Sequence, residues 1–110
     1  MSPHLISSSS QVKGAEGTTV ELVCRVGGDP TPQVTWKRFP PHQLPQERMA
    51  LEERGQVLRI RHLLREDQGL FTCHAENSIG TISSNISLTV HCKFISILNF
   101  SKNSRYNINY

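Results

Sequence analysis

No hydrophobic run in this sequence is long enough to cross a bilayer. The longest apolar stretch, Phe94 to Phe100, is broken by Ser96 and Asn99 and falls far short of the roughly 20 residues that a spanning helix needs. The first ten residues, Met1-Ser-Pro-His-Leu-Ile-Ser-Ser-Ser-Ser10, have neither the basic start nor the apolar run of a secretory signal. Either a signal has been removed, or the chain is a fragment, or the protein stays inside the cell. A basic surface is missing too. The formal charge is +3, yet residues 1–90 hold nine Lys or Arg against nine Asp or Glu, and the surplus comes from Lys93, Lys102 and Arg105. Phosphate binding needs several cations gathered on one surface, so the composition speaks against a nucleic-acid partner.

Catalytic and metal constellations are equally scarce. The five histidines, at positions 4, 42, 62, 74 and 91, are scattered over loops and outward strand positions. None has a Ser, Cys or carboxylate at the spacing of a nucleophile and its base. His91-Cys92 offers two adjacent metal ligands, but zinc takes three or four and no C-x-x-C pair accompanies them. The expectation is no enzyme, no cofactor and no metal.

What the chain does have is enough apolar residues to fold. Leu, Ile, Val and Phe total 29 of 110 residues, above the roughly 20% that marks disordered chains, and the length suits one domain with a tail. The apolar residues alternate with polar ones in short runs separated by Gly, Pro, Asn and Asp clusters, which is a strand rhythm. Val20, Leu22, Cys24 and Val26 share one face, because side chains alternate across a strand. Gly27-Gly28-Asp29-Pro30-Thr31-Pro32 breaks that strand. Val34 and Trp36 point inward on the next, which ends in a loop with Pro40, Pro41 and Pro45. Leu58 and Ile60 follow as a pair, then Phe71, Cys73 and Ala75. After the turn Asn77-Ser78-Ile79-Gly80 come Ile86, Leu88 and Val90. Seven short strands make an all-β fold, a two-sheet antiparallel Greek-key sandwich, the economical solution.

Cys24 and Cys73 fall on inward positions of two strands, 49 residues apart, with Trp36 12 residues after the first. These are the parts of an inter-sheet disulfide with an indole packed on it; a pair of reduced core thiols is the alternative. The chain resembles an immunoglobulin domain of the intermediate (I-set) type over about residues 3–91. The matching residues are Glu16-Gly17, Val20-Glu-Leu-Val-Cys24, Gly28-Asp-Pro-Thr-Pro32, Val34-Thr-Trp36-Lys37, Leu58-Arg-Ile60, Asp67-Gln-Gly-Leu-Phe-Thr-Cys73, Ala75-Glu-Asn77, Gly80 and Leu88-Thr-Val90. The resemblance implies the sandwich and a module that binds other proteins; it does not choose among adhesion molecules, receptors, matrix proteins and muscle filaments. One residue departs from the family pattern. Phe71 stands where a tyrosine is usual, so the hydroxyl that would tie the preceding turn is absent, at a cost of about 1 kcal/mol.

Two outward surfaces follow from the alternation. Arg25, Arg59 and Arg61 should project from one sheet, with Glu21 and Glu52 near enough to form a cross-strand ladder. From the other sheet Thr35, Lys37, Thr72, His74 and Glu76 face outward as a mixed polar surface, which resembles the sheet that many family members present to partners. Asn85-Ile-Ser87 and Asn99-Phe-Ser101 are N-glycosylation sequons. Asn85 points outward by alternation. An outward sequon and an inward cysteine pair both favour secretion.

Residues 1–2 read as an N-terminal extension and 92–110 as a mobile tail. Between Lys93 and Tyr110, 13 of 18 residues are Lys, Asn, Ile, Phe or Tyr, against 11 of 92 before. These amino acids are encodable by A and T alone, and the shift suggests a read-through of noncoding sequence that truncates a longer protein; a natural linker is the alternative. Cys92 is left without a partner in the domain, which suggests an intermolecular disulfide or a free thiol. The reading is a non-enzymatic recognition module of a cell-surface or matrix protein, glycosylated and extracellular, whose partner is another protein. An intracellular spacer of a muscle or cytoskeletal filament is the rival.

Overall fold

The structure, a computed structural model, describes residues 1–41, 44 and 46–92. Eight strands run β1 His4–Ser8, β2 Gln11–Ala15, β3 Val20–Gly27, β4 Gln33–Phe39, β5 Met49–Glu52, β6 Val57–Ile60, β7 Gly69–Glu76 and β8 Thr81–His91, with one 3-10 turn at Arg65–Asp67. They form two four-stranded sheets, ordered β1-β3-β6-β5 and β2-β8-β7-β4. Each expected apolar set faces the space between them. Leu22, Leu58, Ile60, Leu63, Phe71, Ile86 and Leu88 have at most 1% of their surface exposed. Cys24 and Cys73 are bridged, with Cα atoms 6.5 Å apart. Trp36 lies opposite Cys73 in the β4·β7 ladder and donates from Nε1 to the Gly55 carbonyl, 2.7 Å away.

The strands number eight because the N-terminal segment divides. β1 pairs with β3, whereas β2 crosses to the other sheet and pairs with β8 in parallel, so one ladder departs from the otherwise antiparallel pattern. The serine run makes the crossing. Ser8 Oγ meets Ser84 Oγ at 2.8 Å, Ser9 exchanges bonds with the Val23 backbone, and the Ser10 carbonyl accepts from Ser87 N–H. Short hydroxyls satisfy backbone groups where a ladder is interrupted. Met1 is tied down as well: its carbonyl accepts from Asp29 N–H at 3.0 Å and from Asn77 Nδ2 at 2.9 Å.

The missing tyrosine hydroxyl is made good by a neighbour. Arg38, the third inward residue of β4 after Val34 and Trp36, is 7% exposed. Its Nη2 donates to the carbonyls of Glu66 and Gln68, each at 2.9 Å, and its guanidinium lies 5.1 Å from the centroid of the Phe71 ring. A cation on a phenylalanine face thus ties the turn that a phenol would tie. Asp67 in the same turn is 1% exposed and receives Arg48 bidentately at 2.7 and 2.8 Å and Leu64 N–H at 2.8 Å. Burial pushes its carboxyl up, but the bonds from Arg48 and Leu64 and the charges of Arg48 and Arg38 together outweigh that and hold it below its ordinary value.

Candidate functional site

The two sheets differ in how the charges on their outer faces are paired. On the β1-β3-β6-β5 face, register places Glu21 opposite Arg59. Arg59 Nη2 lies 2.7 Å from Glu21 and 3.2 Å from Glu52. Arg25 takes Glu53, not Glu21 or Glu52, in a bidentate contact at 2.9 and 3.0 Å. Glu53 and Arg54 adopt the left-handed conformation in the β5–β6 turn, followed by Gly55 at φ 86°. That turn carries Glu53 back toward β3, which is why strand alternation alone misses the pair. Arg61 joins no ion pair among the described residues. Arg25, Arg59, Glu21, Glu52 and Glu53 are thus paired with one another on this face.

On the β2-β8-β7-β4 face the outward residues form four rows across β4, β7 and β8: Gln33-Glu76-Thr81, Thr35-His74-Ser83, Lys37-Thr72-Asn85 and Phe39-Leu70-Ser87. All five residues expected on this surface, Thr35, Lys37, Thr72, His74 and Glu76, stand together on it. Thr72 Oγ1 donates to Asn85 Oδ1 at 2.9 Å, and His74 Nδ1 lies 3.0 Å from Ser83 Oγ. His74 Nε2 is 3.8 Å from Glu76 Oε1. Lys37 joins no ion pair among the described residues. Sequence reading passed over the last row, in which Phe39 is 69% and Leu70 41% exposed and the two are direct cross-strand neighbours. The parity of β4 was the available signal: Phe39 has the same outward phase as Thr35 and Lys37. Two large apolar residues thus stand exposed side by side next to the polar rows.

Among the described residues β4 is also an outer strand of its sheet, so this apolar pair lies at a strand edge. Asn85 is exposed on β8 and faces outward. Cys92 is a half-buried free thiol. Asn99, the rest of the tail, Pro45 and His42 lie outside the described residues. Among the described residues no group of three or more His, Cys, Asp or Glu could hold a metal, and no helix is long and apolar enough to cross a membrane.

Residues 3–90 match the family described as Immunoglobulin I-set domain. Basement membrane-specific heparan sulfate proteoglycan core protein of Mus musculus is 38% identical over 74 residues, covering 67% of this chain and 2% of that protein. Myosin light chain kinase, smooth muscle, of Gallus gallus is 34% identical over 90 residues, covering 80% of this chain and 5% of that one. The chain therefore spans only a few per cent of the length of these relatives. The N-terminal Ig1-2 module of Drosophila receptor protein tyrosine phosphatase DLAR superposes with a TM-score of 0.74 at 31% identity, over 81% of this chain and 45% of that one.

Proposed function

Because this chain belongs to the immunoglobulin I-set family, whose domains are generally binding or structural modules without catalysis, we propose that it is a protein-recognition module. It acts in a cell-surface or matrix protein through the outer face of the β2-β8-β7-β4 sheet. The observation that carries this is the exposed Phe39–Leu70 pair beside unpaired Lys37, set against an opposite face whose arginines are mostly neutralised. An interface core wants apolar or aromatic anchors surrounded by polar groups free to pair. Thr35, Thr72, His74 and Glu76 supply that surround, and the strands hold it rigid.

The buried Cys24–Cys73 bridge and the basement-membrane relative support an extracellular setting, since structural disulfides persist in oxidising compartments. The smooth-muscle relative favours the rival, an intracellular spacer. The test is a multivalent form of the chain applied to an array of ectodomains and matrix proteins, with Phe39→Asp alongside. Recognition predicts saturable binding that Phe39→Asp weakens by about tenfold or more. The spacer predicts no binding above a control domain, and free thiols at Cys24 and Cys73 when the endogenous protein is alkylated before lysis.

A further inference from the structure

The sequon Asn85-Ile86-Ser87 lies in the middle of the proposed recognition face. Ile86 is fully buried, which fixes the register of β8 and turns Asn85 and Ser87 to solvent on either side of it. Asn85 stands directly opposite Thr72, and Thr72 directly opposite Lys37, so the three form one row across β8, β7 and β4. Ser87 stands opposite Leu70, and Leu70 opposite Phe39. The acceptor triplet therefore spans the same two rows that carry the cation and the apolar pair.

Asn85 is exposed on β8, and its amide oxygen is held from the β7 side. Thr72 Oγ1 donates to Asn85 Oδ1 at 2.9 Å, which turns the amide oxygen toward β7 and Nδ2 away from it. On the other side β2 begins at Gln11, opposite Ser87, and the segment before it runs beside β8, with Ser8 Oγ at Ser84 Oγ and the Ser10 carbonyl accepting from Ser87 N–H. The chain has just crossed from the other sheet through Ser8, Ser9 and Ser10. Exposure and an outward direction are what a bulky surface glycan requires of its acceptor.

We infer that Asn85 carries an N-linked glycan that covers the Lys37-Thr72-Asn85 and Phe39-Leu70-Ser87 rows, so that glycan occupancy decides whether this face can meet a partner. The inference rests on the recognition reading above and deepens it. In the transfer, Nδ2 of Asn85 forms a bond to the anomeric carbon of an oligosaccharide carried on a lipid pyrophosphate. The bond from that carbon to the phosphate oxygen breaks, the lipid pyrophosphate leaves, and the amide gives up one proton. The bare chain keeps the face open; the glycosylated chain presents sugar there and leaves the β1-β3-β6-β5 face uncovered.

The test uses the full chain, secreted from mammalian cells behind an added leader, and in parallel translated into microsomes so that secretion itself is not required. Endoglycosidase should remove one glycan's mass from the Ser101→Ala protein and none from the Ser87→Ala, Ser101→Ala protein. Peptide mapping after glycosidase digestion in heavy-oxygen water should mark Asn85. Acylation of Lys37 by a bulky succinimidyl ester, normalised to its acylation by a small one, should be several-fold slower in the glycosylated protein than in Ser87→Ala. An unmodified Asn85 in both preparations overturns the inference, as does equal Lys37 reactivity with and without the sugar. A glycan that shields Lys37 while array binding is indifferent to its removal upholds this inference and instead overturns the choice of face.

Discussion

Arg38 shows how one inward residue replaces a missing group. Its phase was readable, because Val34, Trp36 and Arg38 fall on alternate positions of one strand. Its task was not, because the carbonyls of Glu66 and Gln68 reach it only through the β4·β7 ladder and the turn before β7. Arg38→Met keeps the apolar stem but leaves both carbonyls without their donor. It should lower stability by about 2 kcal/mol, since bonds to charged groups are worth roughly 1.5 to 3, read as a fall in the urea midpoint. Asp67 gives the pH dependence. Its folded value is lower than its unfolded value of about 3.9, so its contribution is present above that value and lost as pH falls through the folded one. The urea midpoint should therefore drop between about pH 4 and the acid limit. Asp67→Asn should cost about 3 kcal/mol at neutral pH, because it strips Arg48 of a buried partner, and should flatten that acid limb.

At the scale of elements, the strands with strict alternation, β3, β4, β7 and β8, were legible with their facing residues. The N-terminal segment was not. Its two halves serve different sheets, and nothing in the local pattern of residues 4–15 says that pairing changes partner at the serines. Gly14 is the place where β2 presses on the core: a Cβ there would come within 2.6 Å of Val20 Cγ1 and 2.8 Å of Leu63 Cδ2. Gly14→Ala should destabilise by about 1 to 3 kcal/mol through overpacking, and hydrogen exchange should show the loss first in the β2·β8 ladder. The bridge between β3 and β7 closes a loop of 49 residues, worth about 4 kcal/mol on the chain-entropy account. Cys24→Ala, Cys73→Ala should lower the melting temperature by roughly 20 °C for a domain of this size.

For the whole molecule, the two outer faces divide the work. One pairs most of its charges internally through Arg25, Arg59, Glu21, Glu52 and Glu53, with Arg61 left over. The other leaves Lys37 without an ion pair among the described residues and Phe39 and Leu70 exposed. The composition of the second face was readable as mixed polar, but its apolar row was not, since Phe39 borders a proline-rich loop and reads as a strand end. Glycan occupancy at Asn85 would then set when that face is available. The measurement that tests this division most directly is a substitution scan of both faces on the bare chain, reading binding to an array-identified partner and urea stability for each variant. Losses of binding without loss of stability should cluster at Lys37, Phe39, Leu70, Thr72 and His74, with Arg25 and Arg59 variants binding as the parent does. Losses clustered instead at Arg25, Glu21 and Arg59 would contradict the account and move recognition to the opposite sheet.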